Sequence, residues 1–100
     1  MSSRMEFIYQ MAKYSNASIH DCQRLMRLGA THNRIELELT NGYKTKDGNW
    51  DSERTNNAMA KRERIGTKLE KLCAELGLTV EYGALTIHVI TADKREVYIP

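Results

Sequence analysis

Two long stretches of the chain carry a seam of residues at alternating three- and four-residue steps. The first seam is Leu25, Leu28, His32, Ile35 and Leu39; the second is Ala58, Arg62, Ile65, Leu69, Leu72 and Leu76. This spacing gathers side chains on one face of an α-helix. Each seam is apolar apart from one polar interruption, His32 in the first and Arg62 in the second. A ten-residue polar connector, 42–51, separates the two stretches. Helices joined so closely fold back on each other to hide their seams, so the pattern predicts an antiparallel helical hairpin.

The flanking signals set the bounds. Ser3 and Glu6 have capping-box spacing, and Phe7, Met11 and Tyr14 recur at helical steps, which predicts a first helix over 4–14. Ser18 with Asp21 starts the next helix, over 19–40, and Asn41-Gly42 stops it. Ile19, Cys22, Met26, Ala30 and Leu37 form a second apolar stripe on that helix. A helix apolar on two sides is central, with the third helix on one side and the first helix or a sheet on the other. In the third helix, Thr55, Asn56 and Asn57 are poor helix formers, so regular helix is expected from near Ala58, although Asp51 or Ser52 could cap it earlier. Gly77 ends it.

Beyond Gly77 the apolar period changes from helical to alternating. Leu78, Val80 and Tyr82 share one side of a strand, and Leu85, Ile87 and Val89 share one side of the next. Val97, Tyr98 and Ile99 form a third short strand after the turn at Ala92–Arg95. The expected fold class is α+β: three N-terminal helices, the two long ones forming an antiparallel hairpin, then a three-stranded antiparallel β-meander. Thr86, His88, Ile90 and Tyr98 are expected on the outer sheet face, open to a partner or covered by the first helix.

The chain has 100 residues, 41% of them hydrophobic, which suits one globular domain spanning 1–100. It has no apolar run of about 18 residues, so no transmembrane helix is expected. The first 14 residues lack the apolar core of a secretory signal, so a cytoplasmic location is expected. Cys22 and Cys73 flank the seams and are expected to be buried, reduced thiols. With three scattered histidines and no CxxC or HxxxH spacing, no metal site is expected. The net charge of +2 excludes an acidic mimic of DNA and leaves both nucleic acid and protein open as partners.

Charge distribution is more informative than the total. Lys61, Arg64, Lys68 and Lys71 recur at helical steps on the third helix, and Arg24, Arg27 and Arg34 share a row on the second. Each row lies beside its own seam. In a hairpin the two rows either flank one groove or lie on opposite edges, and the sequence leaves both arrangements open. Rows of this kind can neutralise successive phosphates, or they can meet an acidic protein surface. Glu36, Glu38, Glu63, Glu70 and Glu75 share these helices, so an ordinary solvated face is the plain alternative. The connector interleaves Tyr43, Lys44, Lys46 and Trp50, a set suited to stacking on bases or anchoring a protein interface; Trp50 could equally fold back onto the helix ends. His32 is expected to be a hydrogen-bonded core residue, and His20 neutral and structural. No phosphate-binding loop, nucleophile elbow, HExxH, paired catalytic acids or dinucleotide fingerprint occurs, so neither catalysis nor a cofactor is expected.

The segments CQRLMRL…THNRIELELTNG, RERIGTKLEKLCAELGL and ALTIHVITADKREVYIP resemble a group of small uncharacterised proteins encoded by phages and prophages. Its pattern has an R-x-x-E-L-x-x-N-G helix end, an arginine-rich helix and a glycine-containing strand hairpin. Residues 34–42 match the first element with the Glu-Leu pair displaced by one. The resemblance covers residues 20–100 and brings no known chemistry. It implies only a mobile-element origin; small phage proteins of about this size are often host-takeover or anti-defence factors, so the expectation is a non-enzymatic protein that binds and occludes a host protein complex in the host cytoplasm, as inhibitors of CRISPR effectors do. Tyr43, Lys44, Lys46, Trp50, Lys61, Arg64, Lys68 and Lys71 are the expected contact residues. The alternative is a DNA- or RNA-binding accessory protein using Arg24, Arg27, Arg34, Lys61, Arg64, Lys68 and Lys71.

Overall fold

The computed structural model describes residues 2–100. Three helices, α1 (Ser3–Tyr14), α2 (Ile19–Asn41) and α3 (Ser52–Glu75), precede three strands, β1 (Thr79–Gly83), β2 (Thr86–Ile90) and β3 (Glu96–Ile99). The strands form an antiparallel sheet in the order β1-β2-β3. This is the α+β order expected from the periodicities.

Local chemistry explains the helix bounds. At α2, Ser18 Oγ accepts from the Asp21 amide at 3.0 Å and an Asp21 carboxylate oxygen accepts from the Ser18 amide at 3.0 Å, a complete capping box. The bond from the Ser18 amide to the carboxylate is the main cause that holds Asp21 below the usual aspartate range. At α1 the cap is Ser2, not Ser3: Ser2 Oγ accepts from the Met5 amide, and Glu6 accepts instead from Gln10. The expected start of regular α3 near Ala58 is also corrected. Asp51 caps the helix through the Arg54 amide, and the Thr55 hydroxyl donates back to the Asp51 carbonyl, so the poor helix formers 55–57 are carried inside the first turns. At the other end Gly77 takes φ +72°, and the amides of Gly77 and Leu78 close back on the Ala74 and Cys73 carbonyls.

The core lies where α1, the first half of α2 and the last half of α3 meet the inner face of the sheet. Phe7, Met11, Leu25, Leu69, Ile87 and Val89 are all essentially inaccessible to solvent. Cys22 and Cys73 are buried free thiols in this core, and burial pushes both upward, Cys73 to about 11. The second stripe of α2 is buried only at Cys22 and Met26. Ile19 is exposed at the first residue of the helix; Ala30 and Leu37 are exposed because α1 and the sheet cover the first half of the helix and the rest projects beyond them.

Gly29 is where α2 comes closest to the sheet. A Cβ there would lie 2.9 Å from the Ile99 side-chain methyl and 3.9 Å from Ile87. Ile99 is itself buried, so the methyl has little room to yield. Gly29→Val is therefore expected to destabilise the protein by about 2 kcal/mol, the overpacking cost exceeding the gain in helix propensity. A urea unfolding midpoint equal to or above that of the parent would contradict this close approach.

One strand expectation is corrected. Leu85 is not on the inner face: it occupies the two-residue turn between β1 and β2 at φ +56° and is largely exposed. Among the described residues no helix is long and apolar enough to cross a membrane.

Candidate functional site

The two basic rows converge on one groove. Arg24, Arg27 and Leu28 of α2 face Lys68, Lys71, Leu72 and Glu75 of α3 across a recess of about 380 Å³. Towards the hairpin tip the same face continues as a second recess of about 470 Å³, lined by Arg34, Ile35 and Glu38 of α2, Tyr43, and Arg54, Asn57, Ala58 and Lys61 of α3. Arg64 lies on the α3 row between the two recesses and is exposed. The antiparallel pairing produces this convergence: a row flanking the seam of α2 and a row flanking the seam of α3 meet wherever both are turned to the same side.

The opposite flank of α3 carries carboxylates. Glu63 and Glu70 lie on the other flank of α3, where they line a separate recess with His32, Arg62 and Tyr82. That flank also faces the sheet, since the Tyr82 hydroxyl donates to Glu70 at 3.3 Å. Arg62 bonds Glu36 of α2 at 2.7 Å, which completes the polar break in the seam. Among the described residues Arg24, Arg27, Arg34, Lys61, Arg64, Lys68 and Lys71 form no ion pair, and all seven are exposed. The small net charge thus conceals a segregation, with seven cations along the groove and Glu63 and Glu70 on the opposite flank of α3. Glu38 and Glu75, near the groove's two ends, are the exceptions.

The connector residues are placed differently. Lys44 and Trp50 pair as a short antiparallel bridge, with the ammonium 5.4 Å from the indole centre. The Trp50 ring lies against Gly42, where a Cβ would approach it to 2.8 Å. Trp50 thus folds back on the end of α2 yet stays half-exposed. The Tyr43 hydroxyl donates to Glu38 at 2.6 Å, and this bond raises the phenol above its ordinary range. The Arg54 guanidinium stacks 4.8 Å from the Tyr43 ring centre. Lys46 is exposed. Three of the four connector residues are therefore engaged within the hairpin, whereas, among the described residues, the seven cations of the two rows make no such contact.

Arg54 is a groove residue that the sequence reading missed. It lies on the three-and-four step that continues through Lys61, but an expected start of regular helix near Ala58 left it off the row.

The histidines also depart from expectation. His32 is half-buried, and its Nδ1 is buried without a hydrogen-bond partner among the described residues; stacking on Tyr82 at 4.9 Å holds the ring instead. Burial lowers its pKa, so the ring is neutral near pH 7. Tyr82 in turn is pushed up to about 12 by burial and the neighbouring Glu70. His20 is exposed on the first turn of α2 and packs into no core.

No protein-family model, no curated protein and no solved structure matches the chain.

Proposed function

We propose that this protein is a non-enzymatic binding protein whose α2/α3 groove takes the sugar–phosphate backbone of a nucleic acid. The observation that carries the reading is the meeting of two unpaired cation rows from different helices on one recess. Along α3 the cations recur about every 5 Å, and along α2 at steps of about 5 and 10 Å, so several phosphates of one strand could be met in succession. The floor of the groove is Leu28, Ile35 and Leu72, and the ring of Tyr43 at the tip end is already engaged, by Arg54 on its face and by Glu38 at its hydroxyl. Contact through the backbone, without sequence preference, follows from that lining.

The hairpin tip supports a second reading. Half-exposed Trp50 with Lys44 and Lys46 is the kind of anchor that docks on an acidic protein surface. In that reading the protein comes from a mobile element and occludes a host complex, such as a CRISPR effector, in the host cytoplasm. Salt titration separates the two. The purified protein is expected to bind generic duplex DNA or RNA at low salt, with affinity falling steeply as salt rises and unchanged by Trp50→Ala. No detectable binding at low salt removes the nucleic-acid reading. Recovery from host lysate of one stoichiometric protein, lost on Trp50→Ala, would establish the second.

A further inference from the structure

The outer face of the sheet, opposite the core, carries a cluster with no part in the groove. Each strand contributes one residue: Glu81 from β1, His88 from β2 and Glu96 from β3. The register sets Glu81 directly across from His88, while Glu96 lies diagonally, beside the Tyr98 that pairs with His88. His88 Nε2 is 3.1 Å from a Glu81 carboxylate oxygen and 3.3 Å from one of Glu96. All three donor atoms lie within 4.8 Å of one another.

We propose that Glu81, His88 and Glu96 form a divalent transition-metal site, with Zn²⁺ the ion that suits it best. Zinc bonds of about 2.0–2.2 Å in tetrahedral array set neighbouring donor atoms roughly 3.3–3.6 Å apart, close to the two spacings from His88 Nε2, while the two carboxylates lie within 4.8 Å of each other. One imidazole and two carboxylates are a donor set for zinc, whereas magnesium prefers oxygen donors and several waters. Charge supports the same conclusion. A neutral imidazole carries one proton at Nε2 and can satisfy only one of the two carboxylates facing it. A dication answers both and balances their charge.

Position favours the site as well. The imidazole is only 13% exposed and packs against the Tyr98 ring at 5.0 Å, so its direction is set before any ion arrives. Both glutamates are more than half-exposed, which leaves an approach for the ion and room for water as a fourth ligand. One feature limits affinity. Coordination through Nε2 puts the ring proton on Nδ1, which is buried with no hydrogen-bond partner among the described residues. Ligating histidines ordinarily donate that proton to an acceptor, so binding in the micromolar range is expected.

The test is calorimetry of the full chain with Zn²⁺, repeated with Mg²⁺. One Zn²⁺ per chain is expected, and little response to Mg²⁺. Glu81→Gln, Glu96→Gln and His88→Gln are each expected to weaken Zn²⁺ binding about tenfold or more. The two glutamates are exposed, so their variants remain informative even if His88→Gln folds poorly. In nitrogen-detected histidine spectra, Zn²⁺ is expected to shift His88 Nε2 and leave His20 and His32 in place. Absence of Zn²⁺ binding at millimolar concentration overturns the proposal. So does an affinity that the three variants leave unchanged, which would locate the ion at other side chains.

Discussion

Replacing Arg24, Arg27, Lys68 and Lys71 together by alanine is expected to remove most nucleic-acid binding while leaving the fold intact. Each cation that neutralises a phosphate releases about one counterion, so the slope of log affinity against log salt should become shallower by roughly three to four units. The four side chains come from two helices that meet only in the folded hairpin, so the loss tests the groove rather than one charged helix. They are exposed and form no ion pair among the described residues, so truncation leaves no buried partner unsatisfied. Alanine is also the stronger helix former. The melting temperature should therefore stay close to that of the parent. Glu63→Gln, on the opposite flank of α3, is the matched control and should change the slope little. A quadruple variant that binds duplex DNA with the parent's slope would remove the groove from consideration, whatever its absolute affinity.

Leu69→Ala is expected to lower stability by about 3 kcal/mol, the middle of the range for emptying a buried leucine site. Leu69 has no exposed surface and lies in the cluster that joins α3 to α2 and the sheet. Domains of this size are stable by only about 5–15 kcal/mol, so the loss is a large share of the total. It corresponds to a fall in melting temperature on the order of 15 °C. Ile65→Ala should cost clearly less, because Ile65 lies one turn nearer the tip and is only half-buried. Urea unfolding of both variants, with the slope unchanged, measures the difference. Equal losses at the two positions would mean that the seam is packed evenly along its length and that the tip is not the looser end.

The second prediction bears on the first. The core is concentrated at the sheet end of the hairpin, and the groove runs from that end towards the tip. The cations nearest the core, Arg24, Arg27, Lys68 and Lys71, stand on the better-packed part of the scaffold. Arg34, Lys61 and Arg54 stand on the projecting part. Side chains on a rigid support lose less freedom on binding, so the sheet-end four should contribute more per residue than the tip cations.

Much of this architecture was legible from the chain because it rests on local periodicity. Leu25 through Leu39 and Ala58 through Leu76 announce two helices by spacing alone, and Ser18 with Asp21 announces a boundary by capping chemistry. The misreadings arose where a neighbour overruled propensity. Thr55, Asn56 and Asn57 are helical because Asp51 caps the turn that contains them. Leu85 alternates in sequence with Ile87 and Val89, yet the two-residue turn takes it out of the strand. Ala30 and Leu37 look like core on a helical wheel and are exposed, because α3 covers the other side of the outer half of α2 and nothing packs against theirs.

The sites divide along the same line. The amino-acid order by itself determined which residues share a helix face, since a helix turns by a constant angle per residue. It therefore specified two basic rows, each beside an apolar seam. Whether those rows met depended on the side to which each helix turned on pairing, and only the tertiary packing decided that. The Glu81–His88–Glu96 cluster is the stronger case. Its members are seven and eight residues apart in sequence with no ligand spacing between them, and only the strand register brings their donor atoms within 4.8 Å. Periodicity is a property of one element, whereas a site built between elements depends on how they are set against each other.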